Sequence, residues 1–274
     1  MKTILVPTDF SDTANKARDY AIGIAKELGA QIILINTFHI PYSGASAGTL
    51  VNLGKVAQEE SEKAMHNQAE YLSLNFPNLD FKTLCKPGLL LDSIKIIGKK
   101  KEVDLIVMGT TGASGILGSA LGSNTSAIVG KINIPIIAVP KGSKVAYPTK
   151  IVIANDLLEL GEESLFFYLK KIAAKKESMV DFLFVVKEEE SADHKIERLK
   201  AKSNALQFTP QFHSINILGN QLVEDVVFEY IENKKSDLLV LISHQRGFWG
   251  DMFHKSVSKR LVKHAILPIM VLPE

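Results

Sequence analysis

Four glycines stand close together between two apolar segments: Gly109, Gly112, Gly118 and Gly122, with Ser123, Asn124 and Thr125 directly after them. Val103 to Met108 before this loop reads as a buried strand, and Ser126 to Ile132 after it reads as a helix. Glycine lacks the Cβ that would keep the backbone away from a neighbour, and it tolerates positive φ. Successive free N–H groups running into a helix N-terminus make an anion site, and Ser123, Asn124 and Thr125 add side-chain donors. The chemistry open to such a loop is the cradling of phosphate. It lacks the lysine of G-x-x-x-x-G-K-[ST], and its glycines do not fit G-x-G-x-x-G. The spacing it does carry is Gly-x2-Gly-x9-Gly-[Ser/Thr], on Gly109, Gly112, Gly122 and Ser123. A flexible Gly/Ser connection is the plainer alternative. The register and the strand–loop–helix context favour the cradle.

A loop of this kind must be held by strand ends. Ile4-Leu5-Val6 is a short apolar run of the sort found in parallel strands covered on both faces, and it ends at Pro7-Thr8-Asp9-Phe10-Ser11. Ser11 is placed to cap a helix whose apolar stripe is Ala14, Ala17, Ala21, Ala25 and Leu28 and which stops at Gly29. Gln31 to Phe38 is the next strand. His39 to Lys55, rich in Gly, Ser and Ala, has the length of a lid, a binding loop or a disordered segment. Val56 to Leu74 reads as a helix, Phe81 to Lys86 as a strand, Leu89 to Lys101 as a helix and Pro135 to Val139 as a last strand. This alternation predicts a doubly wound, mostly parallel five-stranded sheet with helices on both faces. Ligands of such sheets sit at the carboxyl ends of the strands, where the strand order reverses. The loops after Val6, Ile35 and Met108 all lie at that edge.

The pattern then repeats. Lys141 to Lys150 is polar, carries Gly and Pro, and reads as a linker, with a first domain over 1–140, the linker over 141–149 and a second domain over 150–274. Ile151-Val152-Ile153-Ala154-Asn155-Asp156 echoes Ile4 to Asp9, Asp237 to Leu241 echoes Asp104 to Met108, and Leu267 to Pro273 echoes Ile134 to Pro140. The second copy changes where the cradle would be. Ile242, Gln245 and Lys255 stand at the positions of Gly109, Gly112 and Gly122, and Ser243 to Gly250 is bulky. The second copy is therefore expected not to hold the same ligand.

Both copies resemble the universal stress protein family, and the whole chain resembles one of its tandem members. The resemblance implies the adenine nucleotide alpha hydrolase-like fold and ATP held through the glycine motif, with Mg²⁺ bridging its phosphates. It implies that Asp9 hydrogen-bonds the ribose and that Pro7 and Thr8 line the adenosine pocket. Thr37 would offer backbone groups to adenine, and Met108 and Gly109 would lie near the ribose. Gly112, Gly122, Ser123, Asn124 and Thr125 would hold the phosphates. On its own chemistry, Asp9 suits two hydroxyl donors at the ribose end; its alternative is capping of the helix that follows.

Composition narrows the function. Lys plus Arg number 32 against 30 Asp plus Glu, so no strongly basic surface for nucleic acid is expected, and Lys99-Lys100-Lys101 reads as a solvated helix end. A single cysteine, Cys85, read as buried and inert, fits a reducing compartment and a cytoplasmic protein with no signal peptide or membrane span. No Cys/His pair or base stands near the loop, and the seven histidines show no metal spacing. The readings are an ATP-binding stress regulator, a weak ATPase or nucleotide hydrolase, and a nucleotide-free scaffold using Phe248, Trp249, Met252 and Phe253. The two copies are expected to pair edge to edge through Ile136 to Val139 and Ile269 to Leu272, which would otherwise be exposed edges. A homodimer is left open.

Overall fold

The alternation is realised in a computed structural model that describes residues 1–39, 47–100, 103–110, 125, 128–129, 131–155, 166–186, 197, 211–216, 223–243 and 267–273. In chain order the elements are β1 (Thr3–Pro7), α1 (Asp12–Leu28), β2 (Gln31–Phe38), α2 (Ala47–Asn75), β3 (Phe81–Pro87), α3 (Leu90–Lys100), β4 (Leu105–Gly109) and β5 (Ile136–Val139). They continue as β6 (Lys150–Asn155), α4 (Phe167–Lys175), β7 (Met179–Val186), β8 (Gln211–Asn216), α5 (Val223–Lys234), β9 (Leu238–Ser243) and β10 (Ile269–Pro273).

All ten strands form one sheet in the order β3-β2-β1-β4-β5-β10-β9-β6-β7-β8. Every neighbouring pair is parallel except the middle one. There β10 runs antiparallel to β5, with Ile269 opposite Ala138, Met270 opposite Ile137 and Val271 opposite Ile136. The strand order is the same on both sides of this junction, read outward from it.

Local sequence sets α1 to the residue. Ser11 accepts from the Ala14 N–H at 3.2 Å, and Gly29 ends the helix at φ 63. Its inner face is mostly small, with Ala14, Ala17, Ala21 and Ala25 all buried, which lets the helix lie close to the sheet. Side chains alternate along each strand, so Ile4, Val6, Leu105 and Val107 join α1 and α4 residues in one core, while Leu5, Ile33 and Ile106 join α3 and α5 residues in the other. No helix among the described residues is long and apolar enough to cross a membrane.

Two boundaries and the burial of one residue differ from expectation. Helix α2 begins at Ala47 rather than Val56. An interior glycine costs a helix about 1 kcal/mol, and propagation through Leu50, Val51 and Leu53 absorbs Gly48 and Gly54. β4 begins at Leu105 because the preceding Asp104 is engaged with the start of β1. Cys85 is half-buried on the outer strand β3, packed against the core rather than enclosed by it.

Asp104 accepts from the Lys2 N–H, from the Thr3 N–H at 3.0 Å and from the Tyr168 hydroxyl at 2.6 Å. Burial pushes its carboxyl up, but the Tyr168 hydroxyl and the two amides outweigh burial and hold it below the usual carboxylate range. A depressed folded-state value adds stability that is complete above the unfolded value near pH 4 and disappears as the pH falls through the folded value. Asp104→Asn should therefore be less stable than the native chain at neutral pH, with the difference closing below about pH 4. Urea midpoints measured across this range check it.

Candidate functional site

The first half of the sheet winds outward from β1 through β2 to β3, then returns to place β4 on the other side of β1. The strand order reverses between β1 and β4. Their carboxyl ends, at Pro7 and Gly109, flank the crevice where ligands of such sheets bind. Asp9 follows one of these ends, and the N-terminus of α1 sits between them.

The turn after β1 is fixed by its own side chains. The Thr8 hydroxyl accepts from the Phe10 N–H at 3.0 Å, and Asp9 Oδ1 accepts from the Ser11 N–H at 3.1 Å. These bonds hold Phe10 at φ 64, a left-handed conformation that is uncommon for a bulky residue and characteristic of overdetermined turns. The Thr8 N–H donates to Ile35 O at 2.8 Å, so the turn is also hydrogen-bonded to β2.

Beneath this turn lies a buried polar chain. Asn36 Nδ2 donates to Thr8 O at 2.7 Å, and the Ser61 hydroxyl donates to Asn36 Oδ1 at 2.7 Å. Asn36 belongs to β2 and Ser61 to α2, and both are buried. Sequence reasoning missed this pair. The available signal was one amide following the apolar run Ile32 to Ile35, facing the α2 side of the sheet.

On the other flank, Gly109 has a specific neighbour. A Cβ built there would stand 2.9 Å from Thr13 Cγ2 and 3.1 Å from the Thr13 backbone C and O. The close approach that the glycine permits is thus made by the first turn of α1. Thr110 N–H donates to Val139 O at 3.2 Å, tying the start of the loop to β5. Thr125 is buried, and its hydroxyl donates to Gly109 O at 3.0 Å, so its proton is engaged with the strand end.

Of the residues expected at a site, Pro7, Thr8, Asp9, Thr37, Met108 and Gly109 lie at or beside the carboxyl ends of β1, β2 and β4, three adjacent strands. Pro7, Thr8 and Met108 are buried, Met108 among Leu5, Ile33 and Ile106 in the core. Asp9 and Thr37 are half-exposed. Gly112, Gly122, Ser123 and Asn124 lie outside the described residues, as do Gln245, Lys255 and the stretch from Phe248 to Phe253. Ile242, in the position of Gly109, is buried in the core. Gly44-Ala45-Ser46-Ala47-Gly48 has the Gly-x-Ser-x-Gly spacing of a hydrolase nucleophile turn. That turn needs a strand ending directly before the serine; β2 ends at Phe38, and Ser46 lies outside the described residues.

A model of the universal stress protein family matches residues 1–140 and 173–273. A universal stress protein of Methanocaldococcus jannaschii is 31% identical over 145 residues, covering 52% of this chain and 84% of that protein. One of Synechocystis is 22% identical over 294 aligned positions, 98% of this chain and 99% of that protein. Among solved structures, a universal stress protein from Archaeoglobus fulgidus is 16% identical, covers 99% of this chain and 96% of that chain, and superposes with a TM-score of 0.74. That last likeness concerns the fold alone, an α/β sheet covered by helices, and it extends over both halves of the sheet. With the family model matched on either side of the central strand junction, the chain belongs to the universal stress protein family.

Proposed function

We propose that this chain is an ATP-binding regulatory protein of the stress response, acting in the cytoplasm. A first domain, 1–140, holds the nucleotide and a linker, 141–149, leads to the second. The second domain, 150–274, is structural or partner-binding, and the two associate through β5 and β10. The observation that carries the reading is the placement of Asp9 and Gly109 on either side of the β1/β4 reversal. In this reading the half-exposed Asp9 carboxylate accepts from the ribose hydroxyls. Pro7 and Thr8 shape the adenosine pocket, the backbone at Thr37 meets adenine, and Met108 and Gly109 border the ribose. Gly112, Gly122, Ser123 and Asn124 hold the phosphates, which carry Mg²⁺. Thr125 holds the Gly109 strand end, because its hydroxyl proton is given to Gly109 O.

The test is calorimetric titration with Mg-ATP of the full chain and of Asp9→Asn. Asparagine keeps an oxygen for the Ser11 N–H, so the turn survives while the charged acceptor is lost. One site per chain is expected, weakened about tenfold or more in Asp9→Asn. Two sites would mean that the second domain binds as well, against the reading of Ile242 and Lys255. No binding would leave a scaffold, and steady phosphate release would make the chain a hydrolase.

A further inference from the structure

The internal repeat brings together two tyrosines and two aspartates in matching positions. Tyr20 of α1 stands eleven residues before Gln31, the first residue of β2, and Tyr168 of α4 stands eleven before Met179, the first residue of β7. Five residues after each tyrosine, the carbonyls of Ala25 and Ala173 close the same turn, accepting from Ala30 at 3.0 Å and Ser178 at 2.8 Å. Asp104 and Asp237 likewise match. Each directly precedes the strand beside β1 or β6, and their N–H groups donate to Thr3 O at 3.0 Å and Lys150 O at 2.8 Å. Each carboxylate accepts from the amides at the start of that neighbouring strand, Lys2 and Thr3 for Asp104, Thr149 and Lys150 for Asp237.

One cross-half bond joins these sets. The Tyr168 hydroxyl, from the second half, donates to Asp104 Oδ1 of the first half at 2.6 Å. Its counterpart is different. Tyr20 is 2% exposed, and its hydroxyl has no hydrogen-bond partner among the described residues. By the repeat, Asp237 stands to Tyr20 as Asp104 stands to Tyr168. Burial, then the charge of Asp237 and the Tyr147 phenol, push the Tyr20 phenol up. A buried hydroxyl without a partner is unfavourable, and the nearby carboxylate is the acceptor that would satisfy it.

We infer that Tyr20 and Asp237 form the second bond of a reciprocal pair, closed by a small shift of the Tyr20 turn of α1 toward the second half while its first turn stays in place. The first half then holds the second at two points related by the repeat, Asp104 with Tyr168 and Tyr20 with Asp237. The β5/β10 ladder sets the edge, and the two phenols set the angle of the helices above it. α1 and α4 already meet there, with Lys176 at the end of α4 paired to Glu27 of α1 at 2.7 Å. The Tyr147 hydroxyl, from the segment before β6, donates to Ile172 O of α4 at 2.8 Å.

The test is urea unfolding of the full chain as Tyr20→Phe, Tyr168→Phe, Asp237→Asn and the double variant Tyr20→Phe/Asp237→Asn, with NMR detection of slowly exchanging tyrosine hydroxyl protons. Tyr20→Phe should lower the folding constant about tenfold, in the same direction as Tyr168→Phe. This loss should shrink in the Asp237→Asn background, where the charged acceptor is absent, and one protected hydroxyl resonance should vanish in Tyr20→Phe. A Tyr20→Phe chain as stable as the native one, or more stable, would overturn the inference, because it is what deletion of an unpaired buried hydroxyl produces. An equal loss in the native and the Asp237→Asn backgrounds, or no protected resonance belonging to Tyr20, would also overturn it.

Discussion

Gly109→Ala should lose about 2–3 kcal/mol of stability, as expected of overpacking a rigid contact, even though alanine adds one methyl group. The methyl would be 2.9 Å from Thr13 Cγ2 and 3.1 Å from two Thr13 backbone atoms. Neither the end of β4 nor the first turn of α1 can yield easily. The end of β4 is paired to β5, with Gly109 opposite Val139, and α1 is capped by Ser11 and buries Ala14 and Ala17. Displacing the strand end also strains the Thr125 hydroxyl bond to Gly109 O. Urea unfolding measures the loss. Thr13→Ser in the same chain removes Cγ2 but leaves the two backbone contacts, so it should restore only part of the stability. Mg-ATP binding should fall in Gly109→Ala by more than stability alone dictates, since α1 would be pushed toward the crevice that Asp9 borders.

The second large effect is expected at Arg18. This buried arginine donates from Nε and Nη2 to Asp19 Oδ1 at 2.9 and 2.7 Å, and from Nη1 to Asn15 Oδ1 at 3.1 Å. Nη1 also reaches Gln68 Oε1 on α2, and the guanidinium lies 4.3 Å from the Tyr71 ring centroid. It therefore clamps α1 to α2 through a planar fork and a stacked face. Arg18→Ala removes the hydrogen bonds and the packing of the alkyl stem, and should cost about 3 kcal/mol. Arg18→Lys should recover less than half of this, because an ammonium can neither fork nor stack in the same way. Thermal and urea unfolding of both variants test the order Ala, Lys, Arg.

How much of this could be read in the sequence depends on whether a residue's reason is local. The limits of α1 were legible because Ser11 and Gly29 act on backbone a few residues away. The strand junction was legible in outline because the apolar runs from Ile136 and from Ile269 would otherwise leave bare edges. Gly109 was legible as a close approach, but the partner was not. Thr13 is nearly a hundred positions earlier, and nothing near Gly109 names it. The start of α2 was misplaced because Gly48 and Gly54 look like punctuation, whereas a long helix tolerates them. Asn36 with Ser61, and Asp104 with Tyr168, were missed for one reason. Each is an ordinary polar residue until the fold supplies a partner from another element. At the candidate site, the strand-end residues Thr8, Asp9 and Gly109 followed from topology, because a doubly wound sheet dictates where its crevice falls.

The antiparallel junction between β5 and β10 gives the sheet two opposite polarities. Strands of the first half point their carboxyl ends to one long margin of the ten-stranded plate, and strands of the second half point theirs to the other. The carboxyl ends of β1 and β4, beside Asp9, and those of β6 and β9 therefore face opposite margins. A molecule bound beside Pro7 and Gly109 would thus approach from the side opposite one bound beside Asn155 and Ser243.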